Sequence, residues 1–261
     1  MFKKVFGKIN WVLKVFKKEE GQTKHKIDAV TQIYPAVYDK IEIKKHYKFE
    51  VIYLCQGETP MKVENGSITK TKQWINKTYP EINTNYKITV KKYIPIGSGF
   101  GGESTDAAYV LRYILQQHKL EDLSKEHYLD IALNLGSDIP FFYKKVFIAH
   151  VNEYGNRVVQ LKYSIPFNPD ITKFDSVIKS KEIFEILDND SEYESQIQDV
   201  KKLYDELKYG NIHKDVVYND LQKYVVQKDQ QVKETLERFD LNKKAINIIN
   251  GAGSTIITVK E

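Results

Sequence analysis

The segment Gly97-Ser98-Gly99-Phe100-Gly101-Gly102 constrains this 261-residue chain more than any other. Four glycines in six residues cost backbone entropy on folding. A chain carries them where its backbone must approach something closely or adopt left-handed torsions. Residues 86–93 before the loop alternate, with Ile88 and Val90 on one face, and are expected to form a strand that Pro95 ends. After the loop, Ala107, Ala108, Leu111, Ile114 and Leu115 recur at helical spacing, with Ser104 or Thr105 as the expected cap. A strand, a glycine loop and a helix N-terminus in succession favour anion binding, because the loop amides and the helix dipole direct positive charge to one place.

Two well-known loops share part of this pattern. Gly97-x-Gly99-x-x-Gly102 meets the dinucleotide-binding spacing, but the strands before it read as antiparallel rather than as a βαβ unit. Gly97, four residues and Gly102 nearly make a Walker loop, yet Glu103 stands where that loop needs a phosphate-neutralising lysine.

The rest of the first half is rich in expected strands, at residues 10–16, 27–34, 41–43, 49–54 and 146–151. Helices are expected over 64–76 and 125–135, the second capped by Ser124 and stopped by Gly136. Beyond a boundary near 150–165 the chain is polar around Pro166 and Pro169, then helical over 182–187, 193–207 and 231–239. Strands at 245–249 and 255–259, joined by the turn 250–253, complete it. This is an α+β pattern, with one domain over 1–155 and a second over 156–261.

Hydrophobic residues at 41% and aromatic residues at 12% suffice for a packed core. The net charge of +5 is spread along the chain and is almost all lysine; the arginines are Arg112, Arg157 and Arg238. No stretch combines dense arginine with stacking aromatics, so the charge suits a small phosphorylated molecule rather than nucleic acid. Cys55 is the single cysteine, which precludes an intrachain disulfide or a cysteine metal cluster and suits a reducing, cytoplasmic setting. No apolar run approaches the ~20 residues that cross a bilayer. Residues 1–18, interrupted by Lys14, are read as a strand rather than a membrane anchor. His46, His118, His127, His150 and His213 lack metal-ligand spacing and are read as structural or exposed. A monomer or a homodimer fits equally.

Residues 95–108, Pro95-Ile96-Gly97-Ser98-Gly99-Phe100-Gly101-Gly102-Glu103-Ser104-Thr105-Asp106-Ala107-Ala108, resemble the phosphate-binding motif of GHMP kinases. Further segments are similar, in the same order, to those of one branch, the 4-diphosphocytidyl-2-C-methyl-D-erythritol kinases. These are Phe6 to Leu13 with Lys8-Ile9-Asn10, the run Leu135-Gly136-Ser137-Asp138-Ile139-Pro140-Phe141-Phe142, Asn219-Asp220-Leu221, and Asn250-Gly251-Ala252-Gly253. The resemblance implies a two-domain GHMP kinase fold with its active site in the inter-domain cleft, and ATP with Mg²⁺ as cofactors. The implied reaction is phosphorylation of the 2-hydroxyl of a cytidyl-diphosphate substrate on the non-mevalonate route to isoprenoid precursors.

The resemblance also implies residue roles. Asp138 would accept the hydroxyl proton, Lys8 would keep it ionised and neutralise developing charge, and Asn10 would contact substrate. His25 would read the cytosine edge and Phe184 would stack on the base. Pro95, Gly97, Ser98, Gly99, Phe100, Gly101 and Gly102 would form the phosphate loop, with Ser104 and Thr105 offering hydroxyls to phosphate or Mg²⁺. Lys92 and Asn65 stand where the family contacts adenine. No metal-ligand cluster is visible; Mg²⁺ is inferred from ATP chemistry. By spacing alone Asp138 also fits a turn or cap, and Phe184 fits a core position. The chain departs from the family at Lys24, where a stacking tyrosine is usual, and at Glu103, where a glycine is usual. The family continues past the third glycine motif with a further helix and strand, so the 156–261 domain is expected to be shortened. A kinase acting on homoserine, mevalonate or a sugar, and a non-catalytic relative, stay open as alternatives.

Overall fold

The computed structural model describes all residues except 56–57, 62–64, 196, 198, 212–214, 242–244 and 261. In chain order the elements are β1 (Lys3–Val15), β2 (Ile27–Lys45), β3 (Glu50–Cys55), β4 (Thr59–Met61), α1 (Ser67–Thr78), β5 (Tyr86–Lys92), α2 (Gly102–Gln117), α3 (Lys125–Asn134), α4 (Ile139–Lys144), β6 (Ile148–Glu153) and β7 (Arg157–Gln160). There follow β8 (Asp170–Thr172), α5 (Ser180–Asp188), α6 (Val200–Lys208), β9 (Tyr218–Asn219), α7 (Gln222–Lys228), α8 (Gln230–Asp240), β10 (Ala245–Ile249) and β11 (Ile256–Lys260).

Among the described residues one sheet has eight strands, in the order β4-β3-β5-β2-β1-β9, with β6 also pairing with the first half of β2 and β7 with β6. A second sheet has the order β10-β11-β8. The large sheet crosses residue 155, since β7 and β9 both join it. Within it β1 lies between the long β2 and the short β9, and its residues from Gly7 to Leu13 are all buried. A strand covered on both faces reads as continuous rather than alternating. On one face Val5, Ile41, Ile88 and Val90 pack on Ala107, Leu111 and Ile114 of α2; on the other Ile9 and Trp11 meet Ile246, Ile248 and Ile257 of the small sheet. Burial of this kind stabilises by roughly 1.5–3 kcal/mol for each large apolar side chain.

Two expected strands, 27–34 and 41–43, are parts of the single long β2. Pro35 splits the pattern because it has no N–H to donate, and the structure accommodates it in a bulge: Gly7 of β1 faces Tyr34 while the adjacent Phe6 faces Tyr38. The helix expected over 193–207 begins at Val200, where Asp199 caps it by accepting from the N–H groups of Lys201 and Lys202. Neither Ser104 nor Thr105 caps α2; its N-cap is Gly101 in a left-handed conformation, φ 72°, with no side-chain cap. Ser124 does cap α3, accepting from the His127 N–H.

Candidate active site

Lys8 and Asn10 sit on β1 between its two register shifts, paired with Ile33 and Thr31 of β2, while loops meet the strand's other edge. The Lys8 N–H donates to the carbonyl of Phe100 at 2.9 Å. Asn250 supplies the other side: its Oδ1 accepts the Asn10 N–H at 3.1 Å and its Nδ2 donates to the Lys8 carbonyl at 3.2 Å. The phosphate loop and the last glycine turn therefore both close on the same three residues of the central strand.

The two loops also close on each other. A Cβ on Gly99, whose φ is +82°, would overlap the carbonyl oxygen of Asn250, and the Ser254 N–H donates to the Gly97 carbonyl at 2.9 Å. A Cβ on Gly97 would meet the backbone nitrogen of Ile178 at 2.6 Å. These two glycines are thus demanded by protein backbone on the far side of the loop, not by a ligand. Asn219 of β9 holds the turn from below, donating through Nδ2 to the carbonyls of Ile249 at 2.8 Å and Gly251 at 2.7 Å. Asp220 ties β1 to the following segment, accepting from the Val15 N–H at 2.8 Å and the Tyr193 hydroxyl at 2.9 Å.

A cleft of about 870 Å³ opens over this arrangement. On its wall Lys8 Nζ lies 3.6 Å from Asp138 Oδ2, with the lysine side chain 4% exposed and the aspartate 35%. Asp138 occupies the N-cap position of α4 yet makes no capping hydrogen bond. An unused cap typically forgoes ~1 kcal/mol of helix stability, so the carboxylate is directed away from its locally favoured role and toward the cleft. Ser104 and Gly136 face each other across the wall; Ser104 Oγ is 3.6 Å from where a side chain on Gly136 would begin. The first amides of α2, with no intrahelical acceptor, open beside Asp138; the first intrahelical bond runs from the Thr105 N–H to the Gly101 carbonyl at 2.9 Å.

The far end of the cleft is different. The His25 ring stacks on Phe184 with centroids 5.0 Å apart and planes at 24°. His25 Nδ1 donates to the Phe16 carbonyl at 2.8 Å, and Nε2 lies 3.0 Å from Asp188 Oδ1. Lys18 Nζ holds the other Asp188 oxygen at 2.5 Å. Lys24 turns its ammonium to the Ala132 carbonyl at 2.6 Å, in the last turn of α3. Burial lowers its pKa, Lys70 lowers it further, and Asp138 opposes both.

Of the residues expected at the site, Lys8, Asn10, His25, Pro95, Gly97, Ser98, Gly99, Gly101, Gly102, Ser104, Asp138 and Phe184 all line the cleft. Phe100 does not: it is fully buried, stacked on Tyr34. Thr105 is likewise buried behind the wall rather than facing phosphate. Lys92 reaches the wall, but its ammonium is bound to Asp39 and Asp106. Asn65 is exposed in the turn before α1, off the cleft wall. Glu103 is exposed and accepts from the Ser67 hydroxyl at 2.9 Å, so its charge is drawn toward α1. Asp188, Lys18 and the buried Asp39 carried no legible signal, being ordinary charged residues in polar or strand contexts. His46 donates to the Lys48 carbonyl and His150 to Asp28, both structural, while His213 lies outside the described residues.

A strand that ends in a glycine loop, a helix whose N-terminus opens on the cleft and a lysine–aspartate pair on the same wall define a small-molecule kinase of the GHMP class. The model of the GHMP kinases N-terminal domain matches residues 68–145. The 4-diphosphocytidyl-2-C-methyl-D-erythritol kinase of Ureaplasma parvum serovar 3 is 31% identical over 260 residues, covering 98% of this chain and 94% of the relative. That of Thermodesulfovibrio yellowstonii is 29% identical over 258 residues, covering 97% and 87%. The chain belongs to the 4-diphosphocytidyl-2-C-methyl-D-erythritol kinase family. A crystal structure titled 4-(cytidine 5'-diphospho)-2C-methyl-D-erythritol kinase has the same fold, with a TM-score of 0.71, 21% identity and coverage of 100% of this chain and 90% of the other. A mevalonate diphosphate decarboxylase from Legionella pneumophila shares the fold at a TM-score of 0.66 and 12% identity, covering 100% of this chain and 92% of the other.

Among the described residues no helix is long and apolar enough to cross a membrane, and no cluster of three or more histidine, cysteine or acidic side chains forms a metal cage.

Proposed function

We propose that this kinase transfers the γ-phosphoryl group of ATP to the 2-hydroxyl of 4-diphosphocytidyl-2-C-methyl-D-erythritol. The observation that carries the reading is the Lys8–Asp138 pair, 3.6 Å apart on the cleft wall beside the N-terminus of α2. The α2 amides and the loop 97–102 receive the triphosphate. Asp138 accepts the proton of the attacking hydroxyl, and Lys8 neutralises charge spread over the transferring group. Asn10, whose Oδ1 accepts from Thr31 at 3.0 Å, is left with its amide NH₂ to orient the acceptor.

Mg²⁺ bound to nucleotide usually takes one or two protein oxygens and completes its shell with phosphate and water. The Ser104 hydroxyl and the Asp138 carboxylate fit that modest demand, and the missing acidic cage is consistent with it. The ion would shield the phosphate oxygens from the attacking oxygen.

The His25–Phe184 end takes the cytosine. Both rings offer apolar faces, and imidazole and Asp188 offer polar edges to the base. The spread, lysine-based charge suits a small anionic substrate rather than nucleic acid, and we place the enzyme in the cytoplasm as a monomer or homodimer.

The test is ATP consumption with the cytidyl substrate and Mg²⁺, run beside CDP binding. Turnover together with CDP binding supports the reading. ATP binding without any response to CDP or to the substrate would replace it with another GHMP acceptor.

A further inference from the structure

The first turn of α2 sends side chains to two sides of the cleft. Consecutive helical residues project about 100° apart, so Ser104 and Glu103 leave the turn in different directions. Ser104 faces Gly136, on the wall that carries Asp138. Glu103 turns to α1, where its Oε2 accepts from the Ser67 hydroxyl at 2.9 Å. Glu103 and Ser67 both line the cleft, in company with Lys92 and Ile94.

The Glu103 carboxylate has no cation of its own. Lys92 Nζ comes within 3.2 Å of where a side chain on the adjacent Gly102 would begin, but it is already committed. It donates to Asp39 Oδ2 at 2.5 Å and to Asp106 Oδ2 at 2.7 Å. Asp39 Oδ1 in turn accepts the N–H groups of Tyr93 at 2.6 Å and Ile94 at 2.8 Å, which fixes the lysine to the turn leading into the loop. Among the described residues no lysine or arginine pairs with Glu103. An ionised carboxylate offers about four acceptor positions. Ser67 takes one, and the side chain is exposed on the cleft wall with the others.

A negative charge beside the amides that meet phosphate is unfavourable if it points at the phosphates. The bond to Ser67 draws it aside. With the transferring group at Asp138, the remaining phosphates run back past the start of α2, and the ribose is the first group beyond them. Ribose carries two adjacent neutral hydroxyls. A carboxylate that accepts from them makes charge-assisted hydrogen bonds, as acidic residues do at the ribose of dinucleotide folds. The two other ligands of a carboxylate are served elsewhere or lie farther off: Ser104 and Asp138 suit Mg²⁺, and the base is one sugar more distant from α2.

We propose that Glu103 is a specificity-determining residue for the nucleotide. Its carboxylate, held in place by Ser67, accepts hydrogen bonds from the 2′- and 3′-hydroxyls of the ATP ribose and selects ribonucleotides over 2′-deoxyribonucleotides. This rests on the reading of the loop 97–102 as the triphosphate site.

Isothermal titration of the whole protein with Mg²⁺–ADP and with Mg²⁺–2′-deoxy-ADP tests it. The wild type should bind ADP about tenfold more tightly than the deoxy form. E103A should bring the two to within about twofold. E103Q, which keeps an acceptor for Ser67 and loses the charge, should fall between, and it carries the test should E103A not fold. A structural fault weakens both nucleotides alike and leaves their ratio unchanged, so the ratio reads the contact itself. Equal affinities in the wild type, or a preference that survives in both variants, overturn the proposal and leave the nucleotide reading intact. So does an effect of E103A confined to Mg²⁺ dependence, or to selectivity against an analogue lacking the 6-amino group, which would assign the carboxylate to metal or to base. Failure of the wild type to bind either nucleotide overturns the nucleotide reading and the proposal together.

Discussion

The chain has two lysine–aspartate sites within one half of the fold, and they are built oppositely. Lys92 is clamped at 2.5 and 2.7 Å by two carboxylates, all buried. Lys8 stands 3.6 Å from a single carboxylate that is 35% exposed. The tight site satisfies its cation with protein and holds backbone; the loose site leaves cation and carboxylate with unspent hydrogen-bonding capacity facing the cleft. Close contact marks the buried pair, and slack marks the pair that faces the cleft.

The contrast is broken most directly at Asp138. Asp138→Asn should lower turnover by roughly 10²–10⁴-fold while nucleotide affinity stays nearly constant; a kcat within a few-fold of wild type would remove Asp138 from the chemistry. At the tight site the damage should appear in stability instead. Lys92→Met leaves two carboxylates without their cation and should cost about 3–5 kcal/mol in denaturant unfolding. The same site gives a pH signature. Because the Asp106 carboxyl is raised from 3.8 to about 7 in the folded chain, its contribution is full below the unfolded value and is lost as pH rises through the folded one. Wild-type stability relative to D106N should therefore fall between about pH 4 and pH 7 and level off above, as thermal melts across that range would register.

Smaller effects sharpen the picture at the loops. Gly99→Ala forces a side chain into the Asn250 carbonyl at a left-handed φ, and should cost about 1–3 kcal/mol while raising the KM for ATP more than that for the acceptor. Lys24→Tyr exchanges a bond to the α3 carbonyl for an aromatic face near His25 and Phe184. It should lower the KM for a cytidyl substrate by up to about tenfold, base stacking being worth roughly 1–3 kcal/mol. No change, or a rise, would mean that the base lies out of reach of residue 24.

Much of this was legible in the sequence, for identifiable reasons. The strand, glycine loop and α2 were visible because alternation, Pro95, glycines and a helical apolar stripe all point the same way. Asp138 could be singled out only through the surrounding motif, since after Gly136-Ser137 it fits a cap equally well; that it makes no cap bond and lies beside Lys8 is visible only in three dimensions. β4, β7, β8 and β9 went unseen because strands of two to four residues show no alternation to detect, and α4 and α7 because six or seven residues make fewer than two helical turns. The Asp39–Lys92–Asp106 cluster was illegible for a different reason. Its members are separated by 53 and 14 residues, and a buried charge looks in sequence like any exposed one. The burial of Thr105 and Phe100 was not visible in the sequence, because the helix turns one toward the interior and the loop packs the other against Tyr34.

The closure of loop 97–102 on turn 250–253 has a consequence for how the enzyme comes into being. The two loops lie some 150 residues apart on the chain, and each bonds to the β1 segment that carries Lys8 and Asn10. Contacts of such long sequence separation form late, after the loop-closure entropy has been overcome. During synthesis the strands of the first half can pair while Lys8 still lacks the contact from Asn250. ATP turnover during refolding should therefore lag behind the burial of Trp74, which packs in the core around α1 and α2.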